Sequence, residues 1–158
     1  MPLAKVEPVA MWTEPDLLQV RQPAGRAVRE ETIPLQSEAD IVQARQLVRK
    51  WAIEAGLGLV DQTKFVTAAS ELARNTIIYG KGGIMRLQML HEGVRRGVRL
   101  TFEDKGPGIA DIKQALTDGY TSGSGMGLGL SGAKRLCNEF DIVSKVGEGT
   151  RVMIARWK

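Results

Sequence analysis

A chain of 158 residues, 43% hydrophobic and 25% charged, is sized and balanced for one globular domain with a single core. Its net charge of +4 is dispersed, with only Arg95, Arg96 and Arg99 close together and no interleaved aromatics, so a nucleic-acid surface is set aside. No apolar run nears the ~20 residues of a membrane span, a lone Cys137 precludes an intrachain disulfide, and the start lacks a signal-peptide h-region, so a cytoplasmic protein off the membrane is expected.

Residues 1–26 read as a proline-rich tail. Pro2, Pro8, Pro15 and Pro23 interrupt every candidate helix or strand, although Trp12, Leu17, Leu18 and Val20 offer apolar anchors to a surface. The ordered domain is expected over 27–158. Alternating and β-branched residues over 28–35 predict an edge strand ended by Pro34. Ser37-Glu-Ala-Asp40 is a capping-type start for a helix to residue 55, with Ile41, Ala44, Leu47, Val48 and Trp51 on one face and Gly56 as its stop. Asp61 is the expected cap of a second helix reaching residue 78, with Phe65, Ala68, Ala69, Leu72 and Ile77 inward.

Gly80-Lys-Gly-Gly83 breaks the chain. Strands over 84–91 and 98–104 follow, joined by a connector over 92–97, and the only histidine, His91, falls at a strand end as a surface or turn residue. Asp111 opens a short helix to about 117, and 118–125 is a Gly/Ser-rich loop. A helix over 128–139 places Cys137 at the end of its apolar pattern, as a buried structural thiol. Strands over 141–145 and 150–157 meet at Val146-Gly-Glu-Gly149. This order predicts an α+β fold: a mixed, mostly antiparallel sheet with helices packed on one face as a two-layer sandwich.

Four segments carry chemistry. Glu71 and Asn75 lie four apart and share a helix face, one a carboxylate and one a neutral amide oxygen suited to Mg²⁺; a solvated face is the alternative. Asp104 ends an apolar strand just before Gly106-Pro-Gly108, where its carboxylate is exposed at the sheet edge, able to accept from an exocyclic amine or simply to cap the turn. The alternate glycines of Gly123-Ser-Gly-Met-Gly-Leu-Gly129 run straight into a helix. Bare backbone N–H groups there suit a polyphosphate better than a flexible linker does. Gly147-Glu-Gly-Thr150 alone is a hairpin turn.

Other glycine motifs fail on context. Gly127-Leu-Gly-Leu-Ser-Gly132 has the dinucleotide-binding spacing, but a Gly/Ser loop rather than a strand precedes it and Val152 stands near the acidic position. Lys81 is followed by Gly82, not Ser or Thr, so there is no Walker A loop, and H-R-D and D-F-G are absent.

Taken in order and spacing, the four segments resemble the nucleotide site of the gyrase/Hsp90/histidine-kinase/MutL ATPase superfamily, the Bergerat fold. Gyrase-, Hsp90- and MutL-type chains carry further domains, and a histidine kinase needs a phospho-acceptor histidine that His91 does not provide. Asp40-Ile-Val-x-Ala-Arg45, Ser70-Glu-Leu-Ala-Arg-Asn75, Glu103-Asp-Lys-Gly-Pro-Gly-Ile109, Gly127-Leu-Gly-Leu, Lys134-Arg-Leu and Gly147-Glu-Gly-Thr150 are similar to the RsbT-like stressosome switch kinases of bacterial partner-switching systems. That resemblance runs from about residue 30 onward and has no counterpart for the proline-rich start.

The resemblance implies ATP and Mg²⁺, with Glu71 as general base and Asn75 holding the metal. It implies Asp104 on the adenine amine with Thr150 assisting. It also implies nucleotide contacts from Gly106, Gly108, Ile109, Gly123, Gly125, Met126, Gly127, Leu128 and Gly129, with 109–125 as the lid. The implied activity is phosphorylation of Ser or Thr on STAS-domain scaffold and antagonist proteins. Release would then let the kinase activate a downstream effector such as a protein phosphatase. A sibling anti-sigma factor kinase that sequesters a sigma factor, and a binding module that holds ATP without transferring phosphate, are the alternatives; Glu71 argues against the second.

Overall fold

A computed structural model describes residues 25–117 and 129–158. Among the described residues nine elements run in the order β1 (Arg26–Leu35), α1 (Glu38–Glu54), α2 (Leu59–Ile78), β2 (Gly83–Glu92), β3 (Arg95–Asp104), α3 (Ile112–Ala115), α4 (Gly129–Arg135), β4 (Glu139–Lys145) and β5 (Gly149–Trp157). The strands form one sheet ordered β1-β2-β3-β5-β4, and all four pairings are antiparallel. β1 is an edge strand as expected, which is where Pro34 can sit without costing a ladder bond.

Asp40 closes the start of α1 by accepting from the backbone of Gln36 at 2.7 Å and Ser37 at 3.2 Å. At the other end Gly56, with φ +88°, turns the chain out of the helix. Helix α2 begins two residues before its expected cap: Gly58 takes the N-cap position and Asp61 falls in the first turn. Asp61 instead accepts from Arg156 at 2.7 Å, tying α2 to β5.

The β2–β3 connector is shorter than its polar sequence indicates. Pairing continues to Glu92↔Arg95, leaving Gly93 and Val94 as a two-residue turn with Gly93 at φ +60°. Helix α4 stops at Arg135 rather than 139. Leu136 and Cys137 bond back three residues, a tightened final turn, and Arg156 takes the Leu136 carbonyl at 2.7 Å. Asn138 then donates to Ala155, so β4 starts two residues before 141. Cys137 packs partly buried against the core, and burial pushes its thiol up to about 12, consistent with an inert structural role.

The core lies between the helices and one face of the sheet. Trp51, Phe65, Leu72, Met85, Leu87, Leu100 and Ile154 are fully buried there, each stabilising by about 1.5–3 kcal/mol through burial. Ile77 is partly buried at its margin. Among the described residues no helix is long and apolar enough to cross a membrane.

Candidate active site

Pairing aligns Gly83, Asp104, Thr150 and Ser144 in one row across β2, β3, β5 and β4. Strand alternation turns Asp104 to the helix side and its neighbour Glu103 to the other, where Arg86 at 3.5 Å and Arg151 at 3.3 Å hold it. Asp104 therefore stands at the end of a central strand, half-buried, not exposed at a sheet edge. Burial raises its carboxyl above the ordinary range, opposed by backbone hydrogen bonds from Gly106 and Thr150; the Gly106 bond is 2.9 Å.

Two glycines make room for that carboxylate. A Cβ on Gly80, just past α2, would collide with the Asp104 side chain, and one on Gly106 would stand 2.7 Å from the Gly80 Cα. Gly108 has φ +78°, and a Cβ there would strike the Lys145 carbonyl. Gly108→Ala is expected to cost at least about 1–2 kcal/mol from the left-handed backbone alone, read as a lower urea midpoint at unchanged slope. An unchanged midpoint would mean that the 105–109 turn rearranges freely.

The same turn is clipped to β4 and β5. Gly147 donates to the Pro107 carbonyl at 2.7 Å, and Ile109 donates to Ser144 Oγ at 2.7 Å. Ser144 Oγ also lies 2.7 Å from Thr150 Oγ1 and donates toward the Gly149 carbonyl at 3.1 Å. The Thr150 hydroxyl beside Asp104 is thus set by Ser144, a residue absent from the sequence-predicted site. A signal existed, since alternation from Phe140 and Ile142 puts Ser144 at an inward position where an apolar residue is expected. Ser144→Ala strips the acceptor from the Ile109 N–H and should cost about 1–3 kcal/mol in chemical denaturation. No loss would mean another acceptor replaces it.

Above this row stands the end of α2. Glu71 is 5% exposed and Asn75 half-buried, one turn apart on the same face. A cavity of about 470 Å³ opens between them and the strand ends, within the range of small-molecule sites. Glu71, Asn75, Asp104, Gly108, Ile109, Gly129 and Thr150 line it, with Leu72, Phe102, Leu130 and Val152 as apolar walls. Gly106 is not among the lining residues and donates its N–H to Asp104. Gly123, Gly125, Met126, Gly127 and Leu128 lie outside the described residues, as do residues 118–125 of the expected lid. Its first part, α3, is capped by Asp111 accepting from Gln114 at 3.0 Å and closes one side.

Such a cavity offers an acceptor at its floor, an apolar slot for a flat ring, and a carboxylate with an amide oxygen on its wall. No group of three or more His, Cys, Asp or Glu among the described residues forms a metal cage. The donor set fits a hard cation that arrives with phosphate oxygens and takes one neutral oxygen from Asn75.

Comparison with known proteins agrees with this geometry. Residues 60–158 match the family described as histidine kinase-, DNA gyrase B- and HSP90-like ATPase. Serine/threonine-protein kinase RsbT of Bacillus subtilis (strain 168) is 42% identical over 125 residues, covering 79% of this chain and 94% of that protein. Anti-sigma F factor of Clostridium novyi (strain NT) is 34% identical over 120 residues, 72% of this chain and 82% of that one. The crystallised RsbU and RsbW domains of a Mycobacterium tuberculosis protein superpose with a TM-score of 0.58 at 21% identity, over 82% of this chain and 32% of that longer chain, which shows the fold. With the family matched over more than half its length and a serine/threonine-protein kinase aligned along most of it, the chain belongs to the histidine kinase-, DNA gyrase B- and HSP90-like ATPase family, among its ATP-using RsbT-like serine/threonine kinases.

Proposed function

We propose that this chain phosphorylates a serine or threonine of a STAS-domain scaffold or antagonist protein, in a cytoplasmic partner-switching pathway, and on release activates a downstream effector such as a protein phosphatase. The observation that carries the reading is the pairing of Glu71 with Asp104 across one cavity in a chain so similar to a named serine/threonine kinase. Asp104 accepts the adenine amine, with Thr150 held beside it by Ser144. Glu71 takes the proton of the attacking hydroxyl, a role worth about 10²–10⁴-fold in rate. Asn75 would help hold a Mg²⁺ that arrives with the nucleotide and would supply charge neutralisation at the phosphates.

Release follows from charge. A phosphate adds about two negative charges at the contact surface, beside the carboxylates of Glu71 and Asp111 that line the same cavity. Unphosphorylated partner is therefore expected to bind more tightly than phosphorylated partner, most visibly at low salt. Equal affinities in one buffer would sink the switching mechanism and leave the kinase reading standing. The assay for the reading itself is transfer of labelled phosphate from ATP to a purified STAS-domain protein encoded in the same genome. No transfer, together with tight capture of a sigma factor, would favour the second reading, an anti-sigma factor kinase. That reading is supported by the 34% identity to an anti-sigma F factor.

A further inference from the structure

Among the described residues, the two hydrogen bonds that clip the 105–109 turn to β4 and the turn after it differ in kind. Gly147 donates to the Pro107 carbonyl, backbone to backbone, so the direction of that bond is fixed. Ile109 donates to a hydroxyl, Ser144 Oγ, whose own proton can turn. Past Ile109 the chain runs through Asp111 into α3, and Ala110, Asp111, Gln114 and Ala115 line one side of the cavity. The state of the Ser144 hydroxyl therefore bears on how firmly that wall is anchored.

Ser144 Oγ has one proton to give and two lone pairs to fill. One lone pair takes the Ile109 N–H at 2.7 Å. The Gly149 carbonyl at 3.1 Å and Thr150 Oγ1 at 2.7 Å are its other partners. Two arrangements satisfy the count. In the first, Thr150 donates to Ser144 and Ser144 donates to Gly149, so Thr150 has no proton left for the cavity that it lines. In the second, Ser144 donates to Thr150, which frees the Thr150 proton for an acceptor in the cavity. Only the second makes a head-to-tail chain, from the Ile109 N–H through Ser144 and Thr150 to a ligand. Hydrogen bonds in such a chain polarise one another and strengthen by about 10–30% each. In the first, two donors converge on Ser144 instead.

We propose that Ser144 couples the base end of the cavity to the Ile109 anchor. An acceptor atom on the base selects the second arrangement and tightens the Ile109–Ser144 bond. The inference rests on the reading of Asp104 as acceptor of the adenine amine. Adenine meets its requirement, because the ring nitrogen beside that amine is an acceptor and Thr150 pairs directly opposite Asp104. A base carrying N–H at that ring position selects the first arrangement and leaves the anchor weaker. Ser144 acts through Thr150 and Ile109, so it is a positioning residue.

A competing route runs through Asp104, which also accepts from Gly106 of the same turn at 2.9 Å. The two routes answer to different atoms of the base. The Asp104 route needs the amine, and the Ser144 route needs the ring nitrogen.

Hydrogen exchange of the Ile109 amide, followed by NMR in the full chain, separates them. The probes are ADP, 1-deaza-ADP (C–H in place of that ring nitrogen) and purine riboside diphosphate (no amine), each at saturation, so the phosphates stay constant. ADP and purine riboside diphosphate should slow exchange at Ile109 by at least about threefold relative to 1-deaza-ADP. The Gly147 amide, whose bond involves no hydroxyl, should show no such difference. Thr150→Val should erase the difference at Ile109, and Ser144→Thr, which keeps a hydroxyl, should retain it. The proposal is overturned if Ile109 exchanges equally with ADP and 1-deaza-ADP, if protection follows the amine rather than the ring nitrogen, or if the difference survives Thr150→Val. Those results leave the base-pocket reading standing. That reading fails separately, if purine riboside diphosphate binds as tightly as ADP.

Discussion

Replacing Asp104 by Asn is expected to lower ATP affinity on the order of 10²-fold while leaving the free protein at least as stable at neutral pH. A hydrogen bond to a charged acceptor contributes about 1.5–3 kcal/mol, and the amide can turn a donor toward the adenine amine that itself donates. The fold gains because Asp104 is held ionised against its surroundings. Its folded-state pKa is raised, first by burial, so the folded chain binds this proton more tightly than the unfolded chain. That contribution is fully present below the ordinary carboxylate value and falls as pH rises through the window up to the raised value. The Asp104→Asn variant has no such slope, yet its amide oxygen can still accept from Gly106.

ATP binding by the wild-type chain runs the other way, weakening as pH falls through the raised value and the acceptor takes a proton. Calorimetry and thermal melts between about pH 4 and 8 check both signs. Unchanged affinity in the variant would remove Asp104 from the base pocket. A large loss of melting temperature would make it a structural residue.

What the sequence made legible divides along physical lines. Helices α1 and α2 are readable from their 3.6-residue apolar repeats, and the four late strands from alternation and turn glycines. Glu71, Asn75, Asp104 and Thr150 come together because each lies on a strongly patterned element whose face alternation predicts. Asp61 misled because an acid in the first turn and an acid at the cap look alike until Arg156, distant in sequence, claims it. Ser144 and Gly80 escaped because their roles exist only across the sheet. One receives the Ile109 N–H, and the other leaves space for the Asp104 carboxylate.

Glu71→Gln is expected to lower phosphotransfer by about 10²–10⁴-fold with ATP affinity within a few-fold of wild type. Gln suits the test better than Ala because Glu71 is 5% exposed in the cavity wall, and truncation there would add a packing loss to the chemical one. The amide keeps the shape of the side chain but cannot take the proton of an attacking hydroxyl. A group that acts mainly in the transition state lowers kcat and kcat/KM together and leaves ground-state binding alone. Asn75→Ala supplies the contrast. One turn along the same helix face, its amide oxygen serves the metal that accompanies the nucleotide, so this variant should lose affinity and rate alike. The pair of variants separates the general base from a residue that merely shapes the cavity, because a shaping residue would move affinity first. Wild-type transfer by Glu71→Gln would end the catalytic assignment, whatever Asp104 does.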